Sequence, residues 1–235
     1  MQIAGSTAFV TGANRGFGRH LTQQLIERGA TVYAGARDSA SVDVPGAIPV
    51  AVDITDPAAV AAAAEQAGDV TLLINSAGIA TATSLLDGPI ADVRREFDVN
   101  LFGTLDVVRA FRPVLARNGG GYVLNVLTTL TWISVPTVGA YGAAKTASWS
   151  MTNAIRQELA PEGIVVGALH VGYMDTDMAA GFHDVVKEDP AAVARLALDG
   201  VEAGAHELLA DDISRQVQAG LAGGVAALYP QLTTG

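Results

Sequence analysis

Tyr141 and Lys145 stand four residues apart in Tyr141-Gly142-Ala143-Ala144-Lys145. About one helical turn separates such a pair, so the phenol and the ammonium share one face. A cation held beside a phenol lowers its proton affinity, and this suits Tyr141 to exchange a proton with an alcohol or carbonyl near neutral pH. Tyr141 then serves as general acid when a carbonyl is reduced and as base in reverse, while Lys145 lowers its pKa and is available to hold a nucleotide ribose. Thr128 stands thirteen residues earlier, at the expected end of a strand, where its hydroxyl can donate to an oxygen gaining charge during hydride transfer. Plainer readings exist: a half-buried tyrosine, a surface lysine, and a β-prone run in which Thr128, Thr129 or Thr131 is only structural.

Such a pair needs a scaffold, and its first piece is near the start of the chain. Residues 3–10 are apolar and run into Thr11-Gly12-Ala13-Asn14-Arg15-Gly16-Phe17-Gly18, after which Phe17, Leu21 and Leu25 recur at helical spacing over residues 16–28. Gly12, Gly16 and Gly18 allow the backbone to approach a pyrophosphate, whose charge the start of the following helix accepts. Glycine spacing alone also fits a tight turn, but here a strand precedes it and a helix follows. Further strands are expected at 31–36, 48–52, 70–75, 122–127, 164–169 and 207–210, with helices at 57–67, 92–117, 141–159 and about 189–203. Asp56 is the expected cap of the second helix. The 38–47 connection is too short and turn-rich for a full crossover helix. Seven strands with intervening helices predict a doubly wound, Rossmann-like α/β fold with a central, mainly parallel sheet and helices on both faces.

The end of the second strand bears on the choice of nucleotide. Arg37 in Ala36-Arg37-Asp38 is suited to a ribose phosphate, with Arg15 approaching from the glycine loop, and this favours NADP. The NAD reading makes both arginines solvated and gives the ribose hydroxyls to Asp38. Asp53 is either an acceptor for the adenine amino group, with Ile54 packed beside the ring, or a turn cap. Asn75, Ala77 and Gly78 lie in Asn75-Ser76-Ala77-Gly78 at the carboxyl edge of the sheet, where ligands bind in this architecture; small residues there let a ribose pass, while Asn75 also suits an interstrand hydrogen bond. His170, His183, Asp175 and Asp177 lack ligand-spaced partners, so no metal site is expected.

The 235 residues, 50% of them apolar, are enough for one domain, 1–235, with a short substrate loop near 173–189 and a C-terminal tail. Cysteine is absent, so disulfides and thiolate chemistry are excluded. A net charge of -10 argues against nucleic acid as a partner. The first residues lack a basic region before an apolar run, and no apolar stretch is long enough to span a bilayer, so a soluble, cytoplasmic protein is expected.

The ordered set comprising Thr11-Gly12-Ala13-Asn14-Arg15-Gly16-Phe17-Gly18, Asp53, Asn75-Ser76-Ala77-Gly78, Asn100, Tyr141-Gly142-Ala143-Ala144-Lys145 and 172–176 resembles the short-chain dehydrogenase/reductase family over residues 3–210. The resemblance implies an NAD(P)-dependent oxidoreductase with Asn100, Thr128, Tyr141 and Lys145 in its active site. It also implies that Asn100 bends its helix and supports a water near the lysine, and that Thr176 contacts the nicotinamide carboxamide. A homodimer or homotetramer through the 100–117 and 141–159 helices is implied as well. Departures are Thr128 where the family has serine, whose extra methyl restricts rotation, Val171-Gly172 in place of Pro-Gly, and short segments after Arg37 and between Thr176 and Pro190. Met174, Met178, Phe182 and His183 are expected to face Trp132, Ile133 and Val135 and to select a small apolar or aromatic carbonyl or alcohol substrate. A nucleotide-binding regulatory or scaffold protein with weak or lost turnover is the alternative.

Overall fold

The protein is described over residues 1–232 from a computed structural model. The first strand, β1 (Thr7–Thr11), starts later than its apolar sequence suggests, because residues 4 and 5 form a turn and buried Ile3 packs outside the sheet. It leads through the glycine loop into α1 (Gly16–Glu27), and then come β2 (Thr31–Ala36), β3 (Ile48–Ala51), α2 (Pro57–Gln66) and β4 (Leu72–Asn75). Asp56 accepts from the Ala58 amide at the start of α2, as its position predicts, with Pro57 next to it where no amide donor is needed. Between β2 and β3 there is only a 3-10 turn, Ser39–Ser41, in place of a crossover helix.

Residues 92–117 do not form one regular helix. α3 (Ile90–Phe97) passes into a π-helical segment, Asp98–Gly103, and on into α4 (Thr104–Arg117). The chain continues through β5 (Gly121–Val126), α5 (Gly139–Leu159), β6 (Ile164–His170), α6 (Pro190–Glu202), β7 (Glu207–Leu209), α7 (Asp212–Gly220) and α8 (Gly224–Leu228). α7 and α8 occupy the region read from the sequence only as a C-terminal tail; Asp211 caps α7 by accepting from the Ser214 amide.

The seven strands are ordered β3-β2-β1-β4-β5-β6-β7, and every pairing is parallel. The order reverses between β1 and β4, so their carboxyl ends, Thr11 and Asn75, flank the crevice where such sheets bind ligands. One hydrophobic layer packs Leu21 and Leu25 of α1 with Val193, Ala197 and Leu198 of α6; the other packs Phe9 and Leu73 with Val60, Phe111, Val114 and Ile155. Both strand faces are therefore buried, as continuous apolar runs such as Leu72–Asn75 require.

Candidate active site

Tyr141 and Lys145 lie in the first turns of α5, with the Lys145 ammonium 5.8 Å from the centre of the Tyr141 ring. Lys145 is buried and donates to the Val126 carbonyl at 2.9 Å, fixing α5 to the end of β5. Among the described residues it has no carboxylate within ion-pair distance. Burial pushes its pKa down to about 8, opposed by the field of Glu96. Tyr141 is half-buried, and burial followed by the Glu96 charge pushes its pKa up. Spacing predicts a lowered phenol pKa; burial and the Glu96 charge act in the opposite direction.

Thr128 does not end β5. It lies two residues beyond Val126 and opens a 3-10 turn, Thr129–Thr131, where its hydroxyl accepts weakly from the Leu130 amide at 3.3 Å. That turn rests on α5: Thr146 donates to the Thr131 carbonyl at 3.0 Å, and Leu130 lies over Gly142. Thr128 thus lies between Val126, which accepts from Lys145, and Leu130 and Thr131, which meet α5 at Gly142 and Thr146. Its neighbours have structural roles, Thr129 bonding to Ser214 at 2.7 Å and Thr131 to His170 at 3.1 Å.

Asn100 sits in the π-helical segment, buried, and its side chain pairs with both backbone groups of Ile79: Oδ1 accepts from the amide at 3.2 Å and Nδ2 donates to the carbonyl at 3.1 Å. Its own carbonyl accepts from Ser148 of α5 at 2.8 Å. Gly78 lies between this asparagine and the lysine. A Cβ there would stand 2.8 Å from Asn100 Oδ1 and 3.8 Å from Lys145 Nζ.

The carboxyl edge of β1 and β4 forms a cradle with no room for side chains. A Cβ on Gly12 would lie 2.9 Å from Ala77 Cα, and one on Gly18 would lie 2.2 Å from the Gly12 carbonyl oxygen. Gly12 and Gly16 have positive φ values of 67° and 50°. The start of α1 has no side-chain cap and no acidic residue in its first turn, which leaves amide donors and the positive end of the helix for an anion. These features fit the pyrophosphate of a dinucleotide. Phe17, by contrast, is a buried core residue, so its side chain serves packing.

Around this cradle, Asn14 donates to Ser41 at 3.0 Å and ties the glycine loop to the turn after β2. Asp38 is engaged there, accepting from the Ala40 amide at 3.0 Å, while Arg37 is exposed. Arg15 is also exposed and lies 3.7 Å from Asp177. Asp53 accepts from the amide and hydroxyl of Thr55, and those two bonds, the backbone one foremost, hold its carboxyl below the usual range against partial burial; the turn-cap role is the one displayed. Ile54 is buried beneath Gly103, inside the core. Asn75 donates to Asn125 at 2.8 Å and bridges β4 and β5, while its Oδ1 is buried with no partner among the described residues. Thr176 lies against Gly16, which brings the substrate loop to the glycine loop.

The expected aromatic wall is partly a core feature. Trp132 is buried, stacks on His170 at 3.9 Å and meets Trp149 edge-on, so it packs inward and does not line an open pocket. Phe182 packs on Tyr173 at 5.0 Å, and Met178 is exposed. His170 is fully buried, with Nε2 2.8 Å from Glu207, and is structural. His183 is exposed, and no cluster of metal-binding side chains occurs among the described residues.

Spacing gave no notice of Thr11 or Glu96. The Thr11 hydroxyl accepts from the amides of Ser76 and Ala77, both at 3.0 Å, and joins the ends of β1 and β4. Glu96 is fully buried and accepts from Asn100 at 2.7 Å. Its position four residues before Asn100 was the available signal.

A glycine cradle at the reversal point of a parallel sheet, beside a tyrosine and a buried lysine, defines a dinucleotide-binding α/β protein. Residues 6–186 match the model of the short chain dehydrogenase family, and the chain belongs to that family, whose members are NAD(P)-dependent oxidoreductases. It is 32% identical over 200 residues to the short chain dehydrogenase tazN of Aspergillus terreus, with 77% of this chain and 44% of tazN covered. The chain therefore spans less than half the length of that relative. Identity to carbonyl reductase [NADPH] 2 of Sus scrofa is 32% over 202 residues, covering 83% of this chain and 81% of the reductase. A short chain dehydrogenase from Burkholderia cenocepacia J2315, solved in complex with NADP, superposes with a TM-score of 0.94 at 38% identity over 100% of both chains. Among the described residues no helix is long and apolar enough to cross a membrane.

Proposed function

We propose that the protein is an NADP-dependent reductase or dehydrogenase of a small, apolar or aromatic carbonyl/alcohol pair. The observation that carries this reading is the meeting of Lys145 and Asn100 at Gly78, next to the glycine cradle, with the Tyr141 ring beside Lys145. Gly12, Asn14, Gly16, Gly18, Asn75, Ala77, Gly78 and Thr176 would hold the nucleotide, which supplies or accepts the hydride when bound. Arg37 and Arg15 would take the ribose phosphate, a choice supported by the local engagement of Asp38.

Thr128 orients the substrate oxygen by donating its hydroxyl hydrogen, while the hydroxyl oxygen accepts weakly from the Leu130 amide. Tyr141 delivers or removes the proton at that oxygen. Lys145, released from the Val126 carbonyl or sharing its donors, holds the ribose and lowers the cost of forming the phenolate. Tyr173, Met174 and Phe182 supply apolar surface on the substrate side. We take the assembly to be a homodimer or homotetramer through α4 and α5, where Phe102 is left exposed beside α4.

Purified protein titrated with NADPH and then offered a panel of ketones and aldehydes tests the reading. Turnover is expected, and Tyr141→Phe is expected to reduce it about 100-fold or more while nucleotide binding persists. Tight nucleotide binding with no oxidation across the panel would favour a regulatory nucleotide-binding role instead.

A further inference from the structure

Glu96 is a fully buried carboxylate that the acid-base scheme above does not use. Its Oε1 accepts from the Thr81 amide and, at 2.8 Å, from the Thr81 hydroxyl; its Oε2 accepts from Asn100 Nδ2 at 2.7 Å. The Asn100 amide cannot be turned round, because Ile79 presents an amide to one end of it and a carbonyl to the other. A nitrogen donor therefore faces Oε2, and two donors face Oε1. The Thr81 and Asn100 donors match a carboxylate that accepts at both oxygens.

A buried negative charge requires a compensating positive one nearby. The charged and titratable groups facing Glu96 are Lys145 and Tyr141 of α5, both of which experience its field. On its own helix and the π-helical segment, Arg94, Arg95 and Asp98 are exposed and Asp92 is half-buried; the facing loop contributes only Thr81 and Thr83, whose hydroxyls are 2.8 Å apart. Lys145 in turn is buried with a neutral carbonyl as its hydrogen-bond partner. Asn100 connects the two sites, gripping Glu96 through Nδ2 and meeting Lys145 across Gly78.

We propose that Glu96 is a positioning residue of the active site, which fixes the Asn100 side chain and provides the counter-charge that keeps Lys145 an ammonium in a buried setting. The catalytic consequence rests on the function proposed above. The electrostatic link itself does not. Because Glu96 raises the proton affinity of both Lys145 and Tyr141, its removal moves both ionisations in the same direction, to lower pH.

The chain contains only two lysines, Lys145 and Lys187, so folded protein carrying 13C at the lysine ε-carbons gives two side-chain signals to follow against pH. Lys187→Arg assigns them. Lys145 is expected to titrate near pH 8 in the parent, at clearly lower pH in Glu96→Gln, and closer to the parent in Glu96→Asp, which keeps the charge. An unmoved midpoint in a folded Glu96→Gln protein would overturn the proposal. Should that variant not fold, 13C-labelled glutamate in the parent decides the matter. The Glu96 carboxyl signal is expected to shift as Lys145 loses its proton, and an unresponsive carboxyl refutes the link.

With a carbonyl identified by Tyr141-dependent turnover, Glu96→Gln is expected to move the alkaline limb of the kcat profile to lower pH with the substrate KM little changed. A purely structural residue would depress kcat without moving the limb. If Tyr141→Phe retains full turnover, the functional reading falls while the lysine titration still decides the role of Glu96.

Discussion

A buried lysine, with a tyrosine one turn before it, is the pair on which the proposed chemistry rests. Its identity was legible from spacing because a helix puts residues four apart on one face whatever surrounds them. Its proton affinity was not legible. That depends on burial and on Glu96, and residues 92–98, with two arginines and three acids, read locally as a solvated helix face. Arg37 is the reverse case: it stands exposed as its sequence suggests, so its contribution is separable by substitution. Arg37→Ala is expected to weaken NADPH binding by about 1–3 kcal/mol more than NADH binding, since only the former loses a charge-assisted contact. Protein-fluorescence titration with each nucleotide measures the difference, and equal weakening of both would remove the phosphate assignment.

Elements with simple boundaries were legible almost to the residue. β2 begins and ends where its apolar run predicts, and α2 starts at Pro57 behind its Asp56 cap. The π-helical segment was not visible in periodicity, because apolar residues at Phe97, Leu101 and Leu105 keep a spacing of four straight through it. Only the resemblance pointed to a bend at Asn100. The distortion is supported at Gly103, which packs so closely on Ile54 that an added Cβ would lie 2.9 Å from its Cγ1 and 3.0 Å from its carbonyl oxygen. Gly103→Ala is therefore expected to cost about 1–3 kcal/mol in urea unfolding, the range for overpacking a tight contact. Trimming Ile54 to Val in the same chain should recover part of the loss, but not the part due to the carbonyl. A neutral Gly103→Ala substitution would show that the segment yields easily.

Across the whole molecule, nothing in the residue pattern announces that the last described residues return to the site's rim. The Tyr229 hydroxyl accepts from the Ser134 amide at 2.8 Å, joining the segment after α8 to the loop between Thr128 and α5. Ser134 and Tyr229 are ninety-five positions apart, and neither lies in a periodic run that would announce the contact. Tyr229→Phe is expected to speed amide hydrogen exchange at Ser134 while global stability changes by no more than about 0.5 kcal/mol, because the contact is on the surface. Unchanged exchange would mean that the loop is held by its own turns.

α1, which presents its uncapped end to the cradle, is clamped from behind by α6: Gln24 donates to the Ala191 carbonyl at 2.8 Å, and Arg28 pairs with Asp199 at 2.7 Å and Glu202 at 2.9 Å. The cradle is encoded within the first eighteen residues, yet the helix behind it has no complete seat until residue 202 exists. The helix that would meet the nucleotide is therefore fixed by contacts about 170 residues away in the chain, a separation that makes its full seating slow to form relative to the local glycine turn.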